Sequence, residues 1–151
     1  MPSSGIQVDD SCTLAFNDLK LKSQHKYIIY KIADDQKTIV VDETGTDPDY
    51  NTFREKLLEK KDKIGKSRPS YAIYDVEFEL AEGEGKRSKI AFITFINQDE
   101  TAVKSRMIYA SSAQPLKDAL NGVAMYIQAN DPGELEWADI LKEATKGRGT
   151  V

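Results

Sequence analysis

The chain holds a single cysteine, Cys12, and a single histidine, His25, in 151 residues. One cysteine cannot close an internal disulfide, and it removes cysteine-based metal sites from consideration. A Ser-His-Asp or Cys-His catalytic arrangement would have to be built around His25, and nothing in the sequence near it suggests one. No apolar run approaches the roughly 20 residues of a membrane span. The N-terminus has no basic-plus-apolar leader pattern. Gly83-Glu84-Gly85 lacks both the Gly-Lys-Ser/Thr ending and the following helix that a phosphate loop needs. An enzyme, a metalloprotein and a cofactor carrier are therefore not expected, and a soluble cytosolic chain is.

What is present is ordinary in amount and uneven in placement. Hydrophobic residues at 40% and charged residues at 30% suit one globular domain over 1–151, long enough to bury a core. Small polar residues at both ends predict flexible tails over 1–5 and 147–151. Between Lys86 and Lys117 lie six cations (Lys86, Arg87, Lys89, Lys104, Arg106, Lys117) and two carboxylates (Asp99, Glu100), a segment charge of +4. The whole chain carries −4, so the rest carries −8. A basic region on an acidic protein predicts a specific acidic partner rather than general nucleic-acid binding.

The chain reads as alternating helices and strands. Cys12, Ala15, Phe16 and Leu19 recur at helical spacing, so a helix is predicted over Asp10–Lys20 with Cys12 in the core. Tyr27–Ala33 and Thr38–Thr44 flank a polar turn and predict a hairpin. His25 lies in the polar connection before it and is expected at the surface. Asp47-Pro48 predicts a helix start, with Tyr50, Phe53 and Leu57 as its buried stripe. Lys60–Pro69 is a basic loop, expected to be a solvated insertion; the alternative is a nuclear localisation patch. Tyr74–Leu80 alternates, and Ile90–Ile96 is almost wholly apolar and predicts a central strand. Ala81–Lys86 is the turn between them, and Lys86-Arg87-Ser88-Lys89 a cationic hairpin tip. A short strand at Tyr126–Gln128 and a C-terminal helix marked by Trp137, Ile140, Leu141 and Ala144 follow.

The stretch from Lys104 to Gly122 carries the clearest signal of a docking surface. Ser112 is predicted to cap a helix, with Pro115 in its first turn where a missing N–H costs little. Leu116, Ala119, Leu120 and Val123 would face the core, and Gly122 would end the helix. Lys104 and Arg106 precede it on a shorter segment.

Lys104-Ser-Arg-Met-Ile-Tyr-Ala-Ser-Ser112 resembles the signature of the ADF/cofilin family of actin-binding proteins. Phe16–Lys20, Ser70–Asp75, Lys86–Lys89 and Gln128–Asp131 resemble that family in the same order, and the likeness runs from Gly5 to Gly147. The resemblance implies an α/β fold: a single ADF-homology domain with a mixed sheet of about five strands and helices on both faces. It implies binding to actin, both monomer and filament, through Ser4, Lys104, Arg106, Gln114, Lys117 and Asp118. Filament contacts are implied for Arg87, Lys89, Lys142, Glu143 and Lys146. It further implies a preference for ADP-actin, filament severing and depolymerisation, phosphorylation of Ser4 as an off-switch, and competition by phosphoinositide headgroups. No cofactor, metal or nucleic acid is implied. The expected form is a monomer in the cytoplasm at the cortical actin cytoskeleton, with nuclear access left open.

Three departures from the family pattern bear on function. Ala113 and Asp118 stand where the family usually has cations, which predicts weaker actin binding. The order of charges at Lys142 and Glu143 is reversed. Phe95–Glu100 replaces a tryptophan and a Pro-Asp and carries one extra residue. The alternative is an ADF-homology protein that binds filament sides or regulates branches without severing.

Overall fold

Apolar runs of two kinds build the sheet. Tyr27–Ile32 (β2), Ser70–Glu79 (β4) and Lys86–Phe95 (β5) are near-continuous in their buried parts, because helices cover both faces there. Thr38–Gly45 (β3), Met125–Ala129 (β6) and the two-residue Gln7–Val8 (β1) complete it. The structure, a computed structural model, describes residues 5–22, 24–79 and 85–145. Among the described residues the six strands run in the order β1-β3-β2-β4-β5-β6. Both edge pairs, β1 with β3 and β5 with β6, are parallel; the inner pairs are antiparallel. The sixth strand, β1, is too short to leave a period-2 pattern, which is why five were expected.

Among the described residues, five α-helices lie on the two faces. Asp10–Lys22 (α1), Val103–Ser111 (α3) and Ala113–Ala119 (α4) cover one; Tyr50–Glu59 (α2) and Trp137–Thr145 (α5) cover the other. One core joins Phe16, Tyr30, Tyr71, Phe92 and Leu116; the other joins Phe53, Leu57, Tyr74, Ile93 and Ile140. Burying a side chain such as Phe53 or Leu57, both fully inaccessible, contributes about 1.5–3 kcal/mol. Cys12 is buried as expected; burial pushes its thiol up to about 12, and the thiol donates to the Ile39 carbonyl at 3.3 Å. Trp137, half-buried, packs against the core on Tyr50 with ring centroids 5.1 Å apart. Phe95 is buried at the end of β5.

Several boundaries differ from expectation for local reasons. The cap of α2 is Asp49, whose side chain accepts from Asn51 N, while Asp47 accepts from Asp49 N and shapes the turn before it. Ser112 does not cap a helix through its side chain. It is 1% exposed and marks a break between α3 and α4, with its own N–H still bonded to Ile108 O. The segment Val103–Ser111 is thus itself helical. Pro115 explains the break: it has no N–H to give the Ser111 carbonyl, and its ring crowds that carbonyl. At the far end α4 stops at Ala119, and Gly122 sits three residues later in the following turn. Lys86–Lys89 is not a hairpin tip but the first part of β5, paired with Val76–Glu79. The turn itself, 80–84, lies outside the described residues.

The loop after α2 is less solvated than expected. Its ends are tied down by a charge network rooted in β3. Asp42 meets Lys60 at 3.0 Å, Arg68 at 3.1 Å and Lys31 at 3.8 Å; Glu43 pairs with Lys60 and with Lys56 at 3.3 Å. Burial alone would raise both carboxyls. Hydrogen bonds and attraction from Lys60, with Arg68 at Asp42 and Lys56 at Glu43, outweigh it and hold both below the ordinary carboxylate value. Lys60 and Arg68 are therefore internal struts, and only the loop's middle projects.

Candidate functional site

Tyr109 anchors helix α3 to the sheet. Tyr109 is 5% exposed, its hydroxyl accepts from Ile32 N at 3.0 Å, and its carbonyl accepts from the Tyr71 hydroxyl. That anchorage turns the opposite side of α3 outward. Val103 and Met107, one turn apart, are 59% and 67% exposed. Such a pair has no reason to be apolar for the sake of the core. Beside them Lys104 is exposed in the first turn. The N-terminus of α3 has no acidic residue and no side-chain cap. A cation at that positive end costs local stability, which is tolerable where a partner supplies negative charge.

The other predicted residues of this face have mixed roles. The Arg106 guanidinium donates from one Nη to Gln98 O at 3.0 Å and to Thr101 O at 3.1 Å. It ties α3 to the loop before it and is only partly available to a partner. On α4, Lys117 is half-buried, its ammonium 5.4 Å from the Tyr126 ring centre and 5.9 Å from that of Phe92. The aromatic platform fixes the stem and leaves the charge at the surface. Gln114 Nε2 donates to Asp118 Oδ1 at 2.8 Å across one turn, and both are exposed. Ser4 lies outside the described residues.

The remaining candidates gather on the opposite face. Arg87 and Lys89 stand opposite Phe78 and Val76 in the β4–β5 register, so their side chains share the α2/α5 side of the sheet. Beyond Tyr74, β4 leaves β2, and Asp75–Glu79 with Lys86–Ile90 continues as a two-stranded ribbon. Lys142 and Glu143 are exposed on α5, on the same side. Lys146 lies outside the described residues. The described candidates thus form two groups separated by the thickness of the sheet. Among the described residues no cluster of His, Cys, Asp and Glu could hold a metal ion, and no helix is long and apolar enough to cross a membrane.

The family model described as cofilin/tropomyosin-type actin-binding protein matches residues 5–145. The chain belongs to the cofilin family. It is 44% identical to the cofilin of Gibberella zeae, covering 97% of this chain and 98% of that one. It is also 44% identical to the cofilin of Saccharomyces cerevisiae, over 99% of each. Among solved structures, the Streptomyces griseoflavus cofilin superposes with a TM-score of 0.83 at 32% identity, covering 95% of this chain and 99% of that one. The actin depolymerization factor 2 of Plasmodium berghei gives a TM-score of 0.72 at 30% identity, covering 93% and 95%. A cofilin-type actin-binding protein of the cytoskeleton is therefore what this domain is.

The two positions at which the resemblance led one to expect cations, Ala113 and Asp118, are not equivalent. Ala113 is 8% exposed and packs in the α1/α3/α4 core. A lysine there would have to run its stem out along the surface, so alanine costs the outer face little. Asp118 is exposed and puts a carboxylate where partner contact is expected. Val103 and Met107 were not among the residues singled out from the sequence. Their signal was present: they repeat at i and i+4 on the side of α3 opposite Tyr109.

Proposed function

We propose that the protein binds actin monomers and filament sides through two faces, and that it severs and depolymerises filaments. The observation that carries this is the exposed Val103–Met107 strip beside Lys104 on a helix whose other side Tyr109 fixes. A rigid helix with an apolar edge and flanking cations suits insertion into an apolar cleft with an acidic rim. Lys104, Arg106, Gln114, Lys117 and Asp118 would meet that first actin subunit. Arg87, Lys89, Lys142 and Glu143, on the other side of the sheet, would touch a neighbouring one, together with Lys146. A protein that bridges two subunits and prefers one filament twist shifts the filament toward it. Boundaries between decorated and bare segments then become weak, and the filament breaks. No covalent step and no cofactor take part.

By resemblance, ADP-actin is the preferred form and Ser4 the regulatory residue. A phosphate there adds about −1.5 to −2 charge and opposes an acidic partner. Phosphoinositide headgroups would compete for the same cations. The protein works as a monomer in the cytoplasm, at the actin cortex. Its loop lysines leave nuclear access open. Asp118 supports one alternative, a side-binder without severing, because it subtracts charge from the monomer face.

Imaging labelled ADP-actin filaments during titration separates these. Severing that peaks at partial occupancy supports the proposal; binding without breakage supports the alternative; no binding by folded protein refutes both. Arg87→Glu with Lys89→Glu should weaken filament binding by about tenfold, as expected for two reversed rim charges, and leave monomer binding intact. Equal loss of both would show that the two faces are not separate sites.

A further inference from the structure

The loop after α2 and the start of α3 enclose a groove of about 540 Å3. Its walls include Lys61, Lys63 and Ile64 on the loop and Lys104, Ser105 and Ile108 on α3. Five cations and two carboxylates line it in all. Two of those cations, Lys31 and Arg68, are spent on Asp42. Among the described residues Lys61 and Lys104 form no ion pair. Lys63 meets Asp34 at 3.9 Å with both side chains 84% exposed, an ion pair that contributes little and opens readily.

The loop is built to hold its shape. Asp62 Oδ1 accepts from Ile64 N and Lys66 N, both at 2.9 Å. Gly65 takes φ +85°, a conformation other residues adopt with strain. Lys61 bridges to Ser67, Ser67 N donates to Glu100 O, and the charge network clamps the loop's base. Ile64 nonetheless projects, 72% exposed, between Lys63 and Lys66. An ordered turn that shows water an isoleucine flanked by lysines is a poor surface loop and a good contact.

We propose that this groove is an additional actin contact, in which the loop and α3 grip an acidic segment of the same subunit that receives α3. The inference rests on the actin-binding reading of α3 given above. Two features favour that occupant. The groove is continuous with the α3 surface through Lys104 and Ser105, and its unpaired charge is positive. Lys61, Lys63 and Lys104 would meet carboxylates, and Ile64 and Ile108 an apolar side chain between them.

The test compares monomer binding by the full chain, by Lys61→Glu with Lys63→Glu, by Ile64→Ser and by Met107→Glu. All four positions are exposed, so folding is checked by a thermal melt that should not move. The double charge reversal should weaken binding about tenfold and slow association, with a reduced dependence on salt. Ile64→Ser should raise dissociation. If the loop variants bind as the parent does while Met107→Glu fails, the groove is not a contact and the role of α3 stands. If the loop variants lose only binding to phosphatidylserine vesicles, the loop serves a membrane surface and the proposal falls. If the parent itself binds no actin, both readings fall together.

Discussion

Replacing Met107 by alanine isolates the apolar part of the α3 face. Fully burying a methionine side chain contributes about 1.5–3 kcal/mol. Met107 keeps 67% of its surface in the free protein, so docking can recover about two-thirds of that, roughly 1–2 kcal/mol. Alanine forfeits most of it, and the monomer Kd should rise about 5- to 30-fold. The free protein should hardly notice: alanine is the better helix former, and exposed substitutions usually stay within about 0.5 kcal/mol. Lys104→Ala is the comparison. An exposed cation is worth about 0.2–1 kcal/mol and less in salt, so its effect should be at most about fivefold and should fade with ionic strength. Monomer binding followed by fluorescence at two salt concentrations, with urea melts for stability, decides between them. A Met107→Ala protein that binds within twofold of the parent, while Lys104→Ala is crippled, would refute an apolar docking strip.

Two further outcomes follow from how α3 and the loop are held. Tyr109→Phe leaves the buried Ile32 N–H without its acceptor, which costs about 1–3 kcal/mol; urea unfolding should show that loss, and unchanged stability would mean another acceptor takes over. Asp42 and Glu43 are both held below their unfolded values, so they favour the folded state at neutral pH. Stability should be level above about pH 5 and fall as acid carries the solution down through the native values of these groups. Asp42→Asn should lower stability at pH 7 and flatten that acid limb; an unchanged acid limb would show that other carboxyls dominate.

Much of the architecture was legible because it is written in local patterns. The helical spacing of Cys12, Phe16 and Leu19, the β-branched runs of β2 and β3 and the apolar run of β5 each name an element and a buried side without reference to anything distant. The same holds for the cationic segments and for the cofilin signature at Lys104–Ser112. The break at Ser112 was also local in cause, since Pro115 acts on the carbonyl four residues back, but a proline in a first turn and a proline at a break look alike in sequence. Other facts required the fold. Lys60 and Arg68 read as a basic patch until their partners, 17 and 26 residues away, proved to be Glu43 and Asp42. The docking side of α3, with Met107 on it, is settled only once Tyr109, bonded to a strand 77 residues earlier, shows which side faces in. Ala113 reads as a lost contact until it is found buried. The sequence by itself determined most of the elements, their amphipathic sides and the family, because these depend on neighbours along the chain. The tertiary structure alone decided which charges are neutralised and which apolar residues remain exposed, because burial and ion pairing depend on what the fold brings alongside.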